Sequence, residues 1–337
     1  MKKKRILVTG AAGFMGSHLS EYLANEGHRV FGLDNFSLGK PINVPKNIAF
    51  IKCDLTDAKK TQAIIKKIKP SLIYHLAAWA HESLSQFMPR LITENNLNAF
   101  LNLIVPAINN GLKRIVFTSS FSVYGDQKPP FSEKMPPKPV DIYAVAKGAI
   151  EKIIEILSQV HGFEYTILRP HNVYGPRQAL WDPYRNAVAI FINRVMKNLP
   201  PIIYGDGNQT RSFSYIDDVT PYIALAGFLD KAKGEIINLG PRKENTVNEL
   251  SQIILEAFKS KLKPIYVPAR PMEVKYAYCT NRKAKRILGS RTTVDLRTGV
   301  LKTIEWAKKV GPYKFQYLEG LELTGKNAPR TWHEKLI

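Results

Sequence analysis

Cysteine is nearly absent from this chain of 337 residues, which contains only Cys53 and Cys279. The two cysteines lie far apart in the sequence and fit no metal-ligand spacing. The seven histidines form neither an HxxxH pair nor a His/Cys cluster. We therefore expect reduced thiols and no metal site.

Long hydrophobic runs are missing as well. No apolar stretch approaches the roughly 20 residues that would cross a bilayer, and the N-terminus carries no hydrophobic signal segment. The sequence therefore predicts a cytoplasmic protein without a membrane span. Its 45% hydrophobic and 23% charged residues are typical of a globular chain with one large core or two modest ones.

Acidic residues are scarce relative to basic ones, since 28 Asp and Glu face 49 Lys and Arg and leave a net charge of +21. Such an excess of positive charge is compatible with binding to nucleic acid, to an anionic membrane or to an anionic small substrate. The cations are dispersed along the chain, however, and most short clusters fall beside strands or on helices with an apolar opposite face. We therefore expect most of these cations to lie on solvent-exposed faces of helices and strands and to bind no specific nucleic acid. A phosphate-bearing substrate would need only two or three of them.

Strand-like and helix-like segments alternate through the first half of the chain. The six expected strands lie at residues 5–8, 29–33, 47–53, 71–77, 114–120 and 165–170. This alternation predicts an α/β fold, a Rossmann doubly wound parallel sheet whose ligands bind at the carboxyl ends of the strands.

After residue 170 the sequence pattern changes, because prolines, glycines and loops interrupt the expected helices, which are shorter. We expect residues 1–172 to form the dinucleotide-binding domain, which the chain rejoins near residues 213–240. Residues 173–337 would form mainly a smaller, interleaved α/β substrate lobe. The later strands are expected at 202–204 and 235–240, the later helices at 247–259 and 297–309, and an extended surface loop at 128–140.

A glycine triplet follows the first strand, at Gly10, Gly13 and Gly16. Gly10 permits a tight turn, Gly13 lets backbone N–H groups approach a pyrophosphate, and Gly16 lets the following helix pack closely on the strand. The start of that helix adds unpaired donors and a partial positive charge. Glycine-rich turns also occur for purely structural reasons, but this position between strand and helix favours a dinucleotide site.

Two acidic residues extend the expected cofactor site. Asp34 ends the second strand, where a carboxylate typically accepts hydrogen bonds from the adenosine ribose and disfavours the additional phosphate of NADP. Asp54 follows the third strand and could bond the adenine amino group. Each could instead be an ordinary polar residue of a loop or a helix cap, and Asp57 is the expected cap of the next helix. The combination favours NAD.

Tyr143 and Lys147 lie four residues apart at the start of an expected helix, so both can address one ligand. A nearby ammonium and a cationic nicotinamide ring would lower the pKa of the phenol, which is ordinarily near ~10. Ser120, at the end of the fifth strand, could bond the same substrate oxygen. The YxxxK pattern is short and frequent, and the alternative is an ordinary amphipathic helix.

Together, these motifs resemble those of the extended short-chain dehydrogenases/reductases, in the branch of nucleotide-sugar epimerases and dehydratases. The likeness is strongest to the UDP-glucose 4-epimerases and covers nearly the whole chain. It is carried by TGAAGFMGSH, LDNFSLG, CDLTD, HLAA, ENNLNAF, TSSFSVYG, YAVAK, LRPHNVYGPRQ, YGDGNQTRSFSYIDDV, and RPMEV with the following KAKRILG.

The resemblance implies a set of binding residues and a homodimer. NAD would be held by Gly10, Gly13, Phe14, Met15, Asp34, Asn35, Asp54, Leu55, Leu76, Ala77, Ala78, Asn95, Tyr143, Lys147 and, mainly through its backbone, His171. The catalytic residues would be Ser120, Tyr143 and Lys147. The UDP-sugar substrate would be held by Ser120, Asn172, Arg211, Arg270 and Glu273.

The residues after Ser120 bear on which reaction this branch member catalyses. Dehydratases of the branch carry an Asp-Glu pair there, and UDP-glucuronate decarboxylases usually carry Glu at the second position. This chain has Phe121 and Ser122. The resemblance therefore favours a 4-epimerase of the UDP-glucose/UDP-galactose type that acts through a 4-keto intermediate. The alternatives are a decarboxylase or a reductase of the branch, or, from another class, a nucleotide-sensing or nucleic-acid-binding protein.

Two further positions bear on the substrate. Ungapped counting places Ala277 at a position that gates N-acetyl groups in some 4-epimerases, and a shift by one residue would place Tyr276 or Tyr278 there instead. The segment from Trp181 to Asn186 is expected to contact the sugar or the nucleotide. We assign no catalytic role to His81 and Glu82.

Overall fold

The computed structural model describes residues 4–324 and 327–337. The first three residues of the expected dinucleotide domain and residues 325–326 of the expected substrate lobe lie outside the described residues. The division into two lobes stays a prediction. No helix in the described ranges is both long and apolar enough to cross a membrane.

The strands occur in both halves of the chain. In chain order they are β1 (Arg5–Thr9), β2 (Arg29–Asp34), β3 (Ala49–Lys52), β4 (Leu72–His75), β5 (Arg114–Thr118), β6 (Glu164–Pro170), β7 (Val173–Tyr174), β8 (Ile202–Tyr204), β9 (Thr210–Arg211), β10 (Ser214–Tyr215), β11 (Glu235–Leu239), β12 (Asn245–Thr246), β13 (Ile265–Val267) and β14 (Tyr276–Ala277).

The helices connect these strands. In chain order they are α1 (Phe14–Asn25), α2 (Ala58–Ile68), α3 (Glu82–Ser85), α4 (Pro89–Thr93), α5 (Ala99–Asn109), α6 (Ile142–His161), α7 (Ala187–Met196), α8 (Thr220–Ala226), α9 (Val247–Ala257), α10 (Arg282–Leu288), α11 (Leu296–Val310) and α12 (Arg330–His333).

Seven strands form one sheet in the order β11-β6-β5-β4-β1-β2-β3, with every neighbouring pair parallel. The chain winds outward from β1 to β3 and then returns to build β4, β5, β6 and β11 on the other side. This confirms the expected doubly wound sheet. Its topological switch point lies between β1 and β4, where ligands bind in folds of this kind.

Both faces of the sheet are covered by helices, and the side chains of β1 point alternately to one face and the other. Ile6 and Val8 belong to the core on the face of α1 and α8, while Leu7 belongs to the core on the face of α2, α5 and α6. A strand buried on both faces is apolar at every position, because successive side chains point to opposite sides. The second half of the chain adds three small sheets, which pair β7 with β10, β8 with β13, and β9 with β12 and β14.

The expected surface loop at 128–140 has no regular structure and is exposed at many positions, but it is not wholly on the surface. Phe131 is completely buried, and its backbone N–H donates to the Tyr278 carbonyl at 2.9 Å. In return, the Thr280 N–H donates to the Phe131 carbonyl at 2.8 Å. The expectation fails at Phe131 because an isolated apolar side chain in a proline-rich loop forms no periodic pattern.

Helix α6 begins at a buried acidic cap. The Asp141 carboxylate accepts the Ala144 N–H at 2.8 Å, as a good N-cap does. Burial raises the pKa of Asp141 to about 7, and the neighbouring Glu82 carboxylate raises it further. The cap therefore loses its proton near neutral pH rather than in acid.

This raised pKa predicts how the Asp141→Asn variant differs from the wild-type protein. Because the folded protein binds the Asp141 proton more tightly than the unfolded chain, this residue's contribution to stability is largest below about pH 4 and declines as the pH rises through about 7. Asparagine also caps helices but does not titrate. The free energy of unfolding of the wild-type protein should therefore fall relative to that of the variant between pH 5 and pH 8. Urea unfolding at both pH values measures this difference, and an unchanged difference would contradict the assignment.

Candidate active site

A cavity of about 420 Å³ opens at the carboxyl ends of the parallel strands. Its walls come from the turns after β1, β2, β4, β5 and β6 on one side and from the second half of the chain on the other. Apart from His171, every cofactor, catalytic and substrate residue expected from the sequence lines this one cavity. No group of three or more His, Cys, Asp or Glu side chains within residues 4–324 and 327–337 is placed to hold a metal ion.

The glycine turn has the geometry that a dinucleotide requires. Gly10 has a φ of +73°, which side chains other than glycine rarely adopt. A Cβ atom on Gly16 would lie 2.0 Å from the Gly10 carbonyl oxygen, so only glycine allows α1 to approach the turn. Gly13 precedes α1 without a side-chain cap, which leaves the first N–H groups of the helix available to an anion.

The acidic residues after β2 and β3 are held firmly against the cavity wall. Asp34 accepts the Ala12 N–H at 3.0 Å and the Phe36 N–H at 2.7 Å, and burial raises its pKa. Asn35 donates to Asp54 at 2.9 Å. Burial opposes the charge on Asp54, but its hydrogen bonds outweigh that effect and lower its pKa. The side chain of Asp57 caps α2, as the sequence predicts.

The residues after β4 form the next part of the wall. The Leu76 and Ala77 N–H groups both donate to the Thr9 hydroxyl at 3.2 Å, which fixes the segment beside the glycine turn. Asn95 lines the cavity. Sequence reasoning missed its neighbour Asn96, which is buried and bonds both the N–H and the carbonyl of Trp79 at 3.0 and 3.2 Å. In the sequence, the adjacent asparagines 95 and 96 are the only feature that could have pointed to this role of Asn96.

His171 does not itself line the cavity, and its expected backbone contact with a cofactor stays a prediction. Pro170 and Asn172, on either side of it, do line the cavity. Because extended residues alternate in direction, the ring of His171 turns into the interior. There it packs edge-to-face against Phe121, with a centroid distance of 6.0 Å, and burial lowers its pKa to about 4.

Tyr143, Lys147 and Ser120 meet at the carboxyl end of β5, and all three are at least 95% buried. Helix α6 places Tyr143 and Lys147 on one face, as the sequence predicts. The Lys147 ammonium donates to the Thr118 carbonyl at 2.8 Å and lies 5.7 Å from the centre of the Tyr143 ring.

Burial dominates the electrostatics of these side chains. It raises the pKa of Tyr143, the carboxylates of Glu82 and Asp141 raise it further, and the Arg185 guanidinium and the Ser120 hydroxyl act in the opposite direction. Burial lowers the pKa of Lys147 to about 7. Arg185 is thus a further cation that acts on the phenol, and sequence reasoning gave it no individual role.

Arg185 belongs to the segment from Trp181 to Asn186. Asp182 anchors this segment by accepting a hydrogen bond from the buried His81 ring at 2.8 Å and the Tyr184 N–H at 2.9 Å. Arg185 lines the cavity and forms no ion pair with any described residue. Trp181 does not line the cavity, and Lys40 lies 4.1 Å above its ring.

Two arginines and a glutamate converge in the part of the cavity wall that the second half of the chain contributes. Arg270 holds Glu273 through a forked contact at 2.9 and 3.3 Å, and Arg211 approaches the same carboxylate at 3.8 Å. The group carries one net positive charge and presents the planar donors that suit phosphate oxygens. Arg270 also lies 4.6 Å from the centre of the Tyr204 ring.

Ala277 pairs with Arg211 where β14 meets β9, and it lines the cavity. Tyr276 and Tyr278 do not line it. Tyr276 is 49% exposed, and the Tyr278 carbonyl bonds Phe131. The small residue of the three therefore faces the ligand space.

Comparisons with known proteins agree with this geometry. Residues 6–240 match the model of the NAD dependent epimerase/dehydratase family. A UDP-glucose 4-epimerase of Mycolicibacterium smegmatis is 34% identical over 311 residues, which cover 90% of this chain and 98% of that protein. A UDP-N-acetyl-alpha-D-glucosaminuronate decarboxylase of Bacillus cytotoxicus is 31% identical over 323 residues, covering 91% and 99%.

The crystal structure of a Thermotoga maritima UDP-glucose 4-epimerase with UDP-glucose superimposes with a TM-score of 0.87 and 33% identity, covering 90% of this chain and 99% of that one. The cavity fits NAD, because the close approach at Gly16 and the carboxylate of Asp34 lie where a dinucleotide needs them. The chain therefore belongs to the NAD-dependent epimerase/dehydratase family and resembles its UDP-sugar 4-epimerases.

Proposed function

We propose that this protein is a nucleotide-sugar 4-epimerase that interconverts UDP-hexoses of the glucose and galactose type and has room for N-acetylated sugars. The observation that carries the proposal is that Tyr143, Ser120 and Lys147 meet in the wall of the same cavity that Arg211 and Arg270 line. A reacting centre and a diphosphate anchor thus share one ligand space.

In this reaction NAD supplies the acceptor for the C4 hydride and returns the hydride to the opposite face of the sugar. Tyr143, as the phenolate, takes the proton of the 4-hydroxyl, directly or through Ser120. Arg185 and Ser120 favour the phenolate against the cost of burial. Arg211, Arg270 and Asn172 hold the diphosphate while the 4-keto sugar turns over.

Two other reactions of the family fit less well. Expulsion of water from the sugar needs an acid-base pair beside the catalytic hydroxyl, and Phe121 and Ser122 stand there instead. Decarboxylation also fits less well, because decarboxylases usually carry Glu where this chain has Ser122. It remains the alternative, since one of the relatives is a decarboxylase. A protein that only binds nucleotides or nucleic acid would not need Tyr143 and Lys147 buried side by side.

A homodimer is part of the proposal. The apolar stripe of α6 that includes Ile150 and Ile154 packs into the protein's own core, so it cannot form an interface. Other apolar side chains on α5 and α6 are exposed instead. They are Val105, Val145, Ile156 and Val160.

The dimer is tested by Val160→Glu, since Val160 is 69% exposed and a charge there costs a monomer little. Sedimentation velocity should show a wild-type dimer and a monomeric variant with an unchanged melting temperature. Leu301→Glu, at an exposed apolar position of α11, is the matched control. A wild-type protein that sediments as a monomer would refute the dimer.

The catalytic assignment is tested by Tyr143→Phe. Removing the hydroxyl removes the proton acceptor, so turnover of UDP-glucose, UDP-N-acetylglucosamine and UDP-glucuronate should fall by about 10²–10⁴-fold. NAD binding should persist, because the ring remains. Product analysis and bound-nucleotide content measure the two effects. Turnover at the wild-type rate would exclude Tyr143 as the base.

The room beside Ala277 is tested by Ala277→Tyr. A tyrosine would fill the space next to Arg211, so kcat/KM for UDP-N-acetylglucosamine should fall by about tenfold or more while that for UDP-glucose changes far less. Tyr276→Ala, at an exposed neighbour, is the control and should change neither substrate. An equal loss for both substrates would contradict the proposed gate.

A further inference from the structure

After α11 the chain runs back across the cavity. We call residues 312–324 and 327–337 the C-terminal segment. The relatives compared above are matched over 98–99% of their own length but span only 90–91% of this chain, so about a tenth of this chain lies outside these matches.

The middle of the C-terminal segment is tied to α4 and to the loop before it. The Glu322 carboxylate accepts the N–H groups of Arg90 and Leu91 at 2.8 and 2.9 Å, in the first turn of α4. The Leu323 N–H donates to the Phe87 carbonyl at 3.1 Å. These bonds attach the segment to the elements that follow β4.

The remainder is tied to the opposite side of the cavity. Arg194 of α7 donates to the Leu336 carbonyl at 2.8 Å, and Asn193 donates to the Tyr313 carbonyl at 2.9 Å. The Thr331 and Tyr204 hydroxyls share a hydrogen bond of 2.5 Å. The C-terminal segment therefore bridges both sides of the ligand space.

Its apolar side chains complete the wall between these attachments. Trp332 is 5% exposed and packs edge-to-face on Tyr184 and Phe87, with centroid distances of 5.4 and 5.9 Å. Ile337 is 8% exposed and lines the cavity itself. Trp332, Ile337 and Tyr143 belong to one apolar cluster.

We infer that the C-terminal segment is a fixed wall of the nucleotide-sugar cavity that retains the 4-keto intermediate between its two hydride transfers. The inference rests on the proposed function. Loss of a proton from O4 and a hydride from C4 leaves a ketone that must turn over without leaving. If the ketone escapes, the sugar departs oxidised by two electrons, and those electrons remain with the nicotinamide.

The C-terminal segment also contacts the side chains that support the diphosphate anchor. Arg211 and Arg270 hold the diphosphate, and Arg270 packs on the ring of Tyr204, whose hydroxyl is bonded by Thr331. The C-terminal segment thus both positions the anchor and closes the space beside it. Weakening the wall should chiefly speed dissociation, because related complexes differ mainly in their dissociation rates.

The test compares Trp332→Ala and Ile337→Ala with Leu336→Ala, a control whose side chain is 47% exposed. Stopped-flow displacement of UDP, which needs no turnover, should show dissociation about tenfold faster or more for the first two variants and unchanged for the control. Trp332→Phe, which keeps an aromatic ring, should restore most of the retention and separates loss of the wall from loss of folding.

A second readout follows the reaction itself. During incubation with UDP-glucose, Trp332→Ala and Ile337→Ala should accumulate reduced nicotinamide and release a 4-keto sugar nucleotide detectable by mass spectrometry. The inference would be overturned if the folded Trp332→Ala and Ile337→Ala variants released UDP at the wild-type rate and accumulated no reduced nicotinamide. If the wild-type protein epimerises none of the UDP-sugars, the proposed function fails, and the UDP dissociation rates still decide whether the wall exists.

Discussion

The burial of charged side chains along one face of α6 is the constraint on which the site depends. Lys147 and Glu151 follow Tyr143 at successive four-residue steps, and both are at least 95% buried. Lys147 reaches the Thr118 carbonyl, and Glu151 forms a forked ion pair with Arg169 on β6 at 2.9 and 2.5 Å. A buried charge without its partner is strongly destabilising, so α6 can dock on β5 and β6 in only one register. That register brings Tyr143 to the cavity.

The same burial governs the pKa values of Tyr143 and Lys147. Burial disfavours charge on both side chains, so it raises the pKa of the phenol and lowers that of the ammonium. Groups on several elements then act on the phenol: Glu82 of α3 and Asp141 at the start of α6 raise its pKa, and Arg185 and Ser120 lower it. The charge balance at the reacting oxygen therefore depends on residues that are distant in the sequence.

The sequence predicts the sheet, the glycine turn and the start of α6 because the signals for these elements are local. Each strand of the large sheet is an apolar run, and Gly10 and Gly16 act within one turn. Arg185 and the C-terminal segment could not be predicted, because the contacts that position them join distant residues. His81 and Asp182 are 101 positions apart, and Glu322 caps α4 across more than 230. The direction of the His171 side chain could not be predicted either, because the resemblance gave only a position in the sequence and a backbone contact.

An epimerase must hold its substrate and also let it turn over, and different residues of the cavity meet these two requirements. Arg211, Arg270 and Glu273 form one charged group that can fix a diphosphate without depending on the orientation of the sugar. Ile337, in one apolar cluster with Tyr143, and Ala277, beside Arg211, add apolar wall. An apolar wall confines a pyranose without offering hydrogen bonds that would favour one face over the other. Retention and turnover are then compatible, because different parts of the protein provide them.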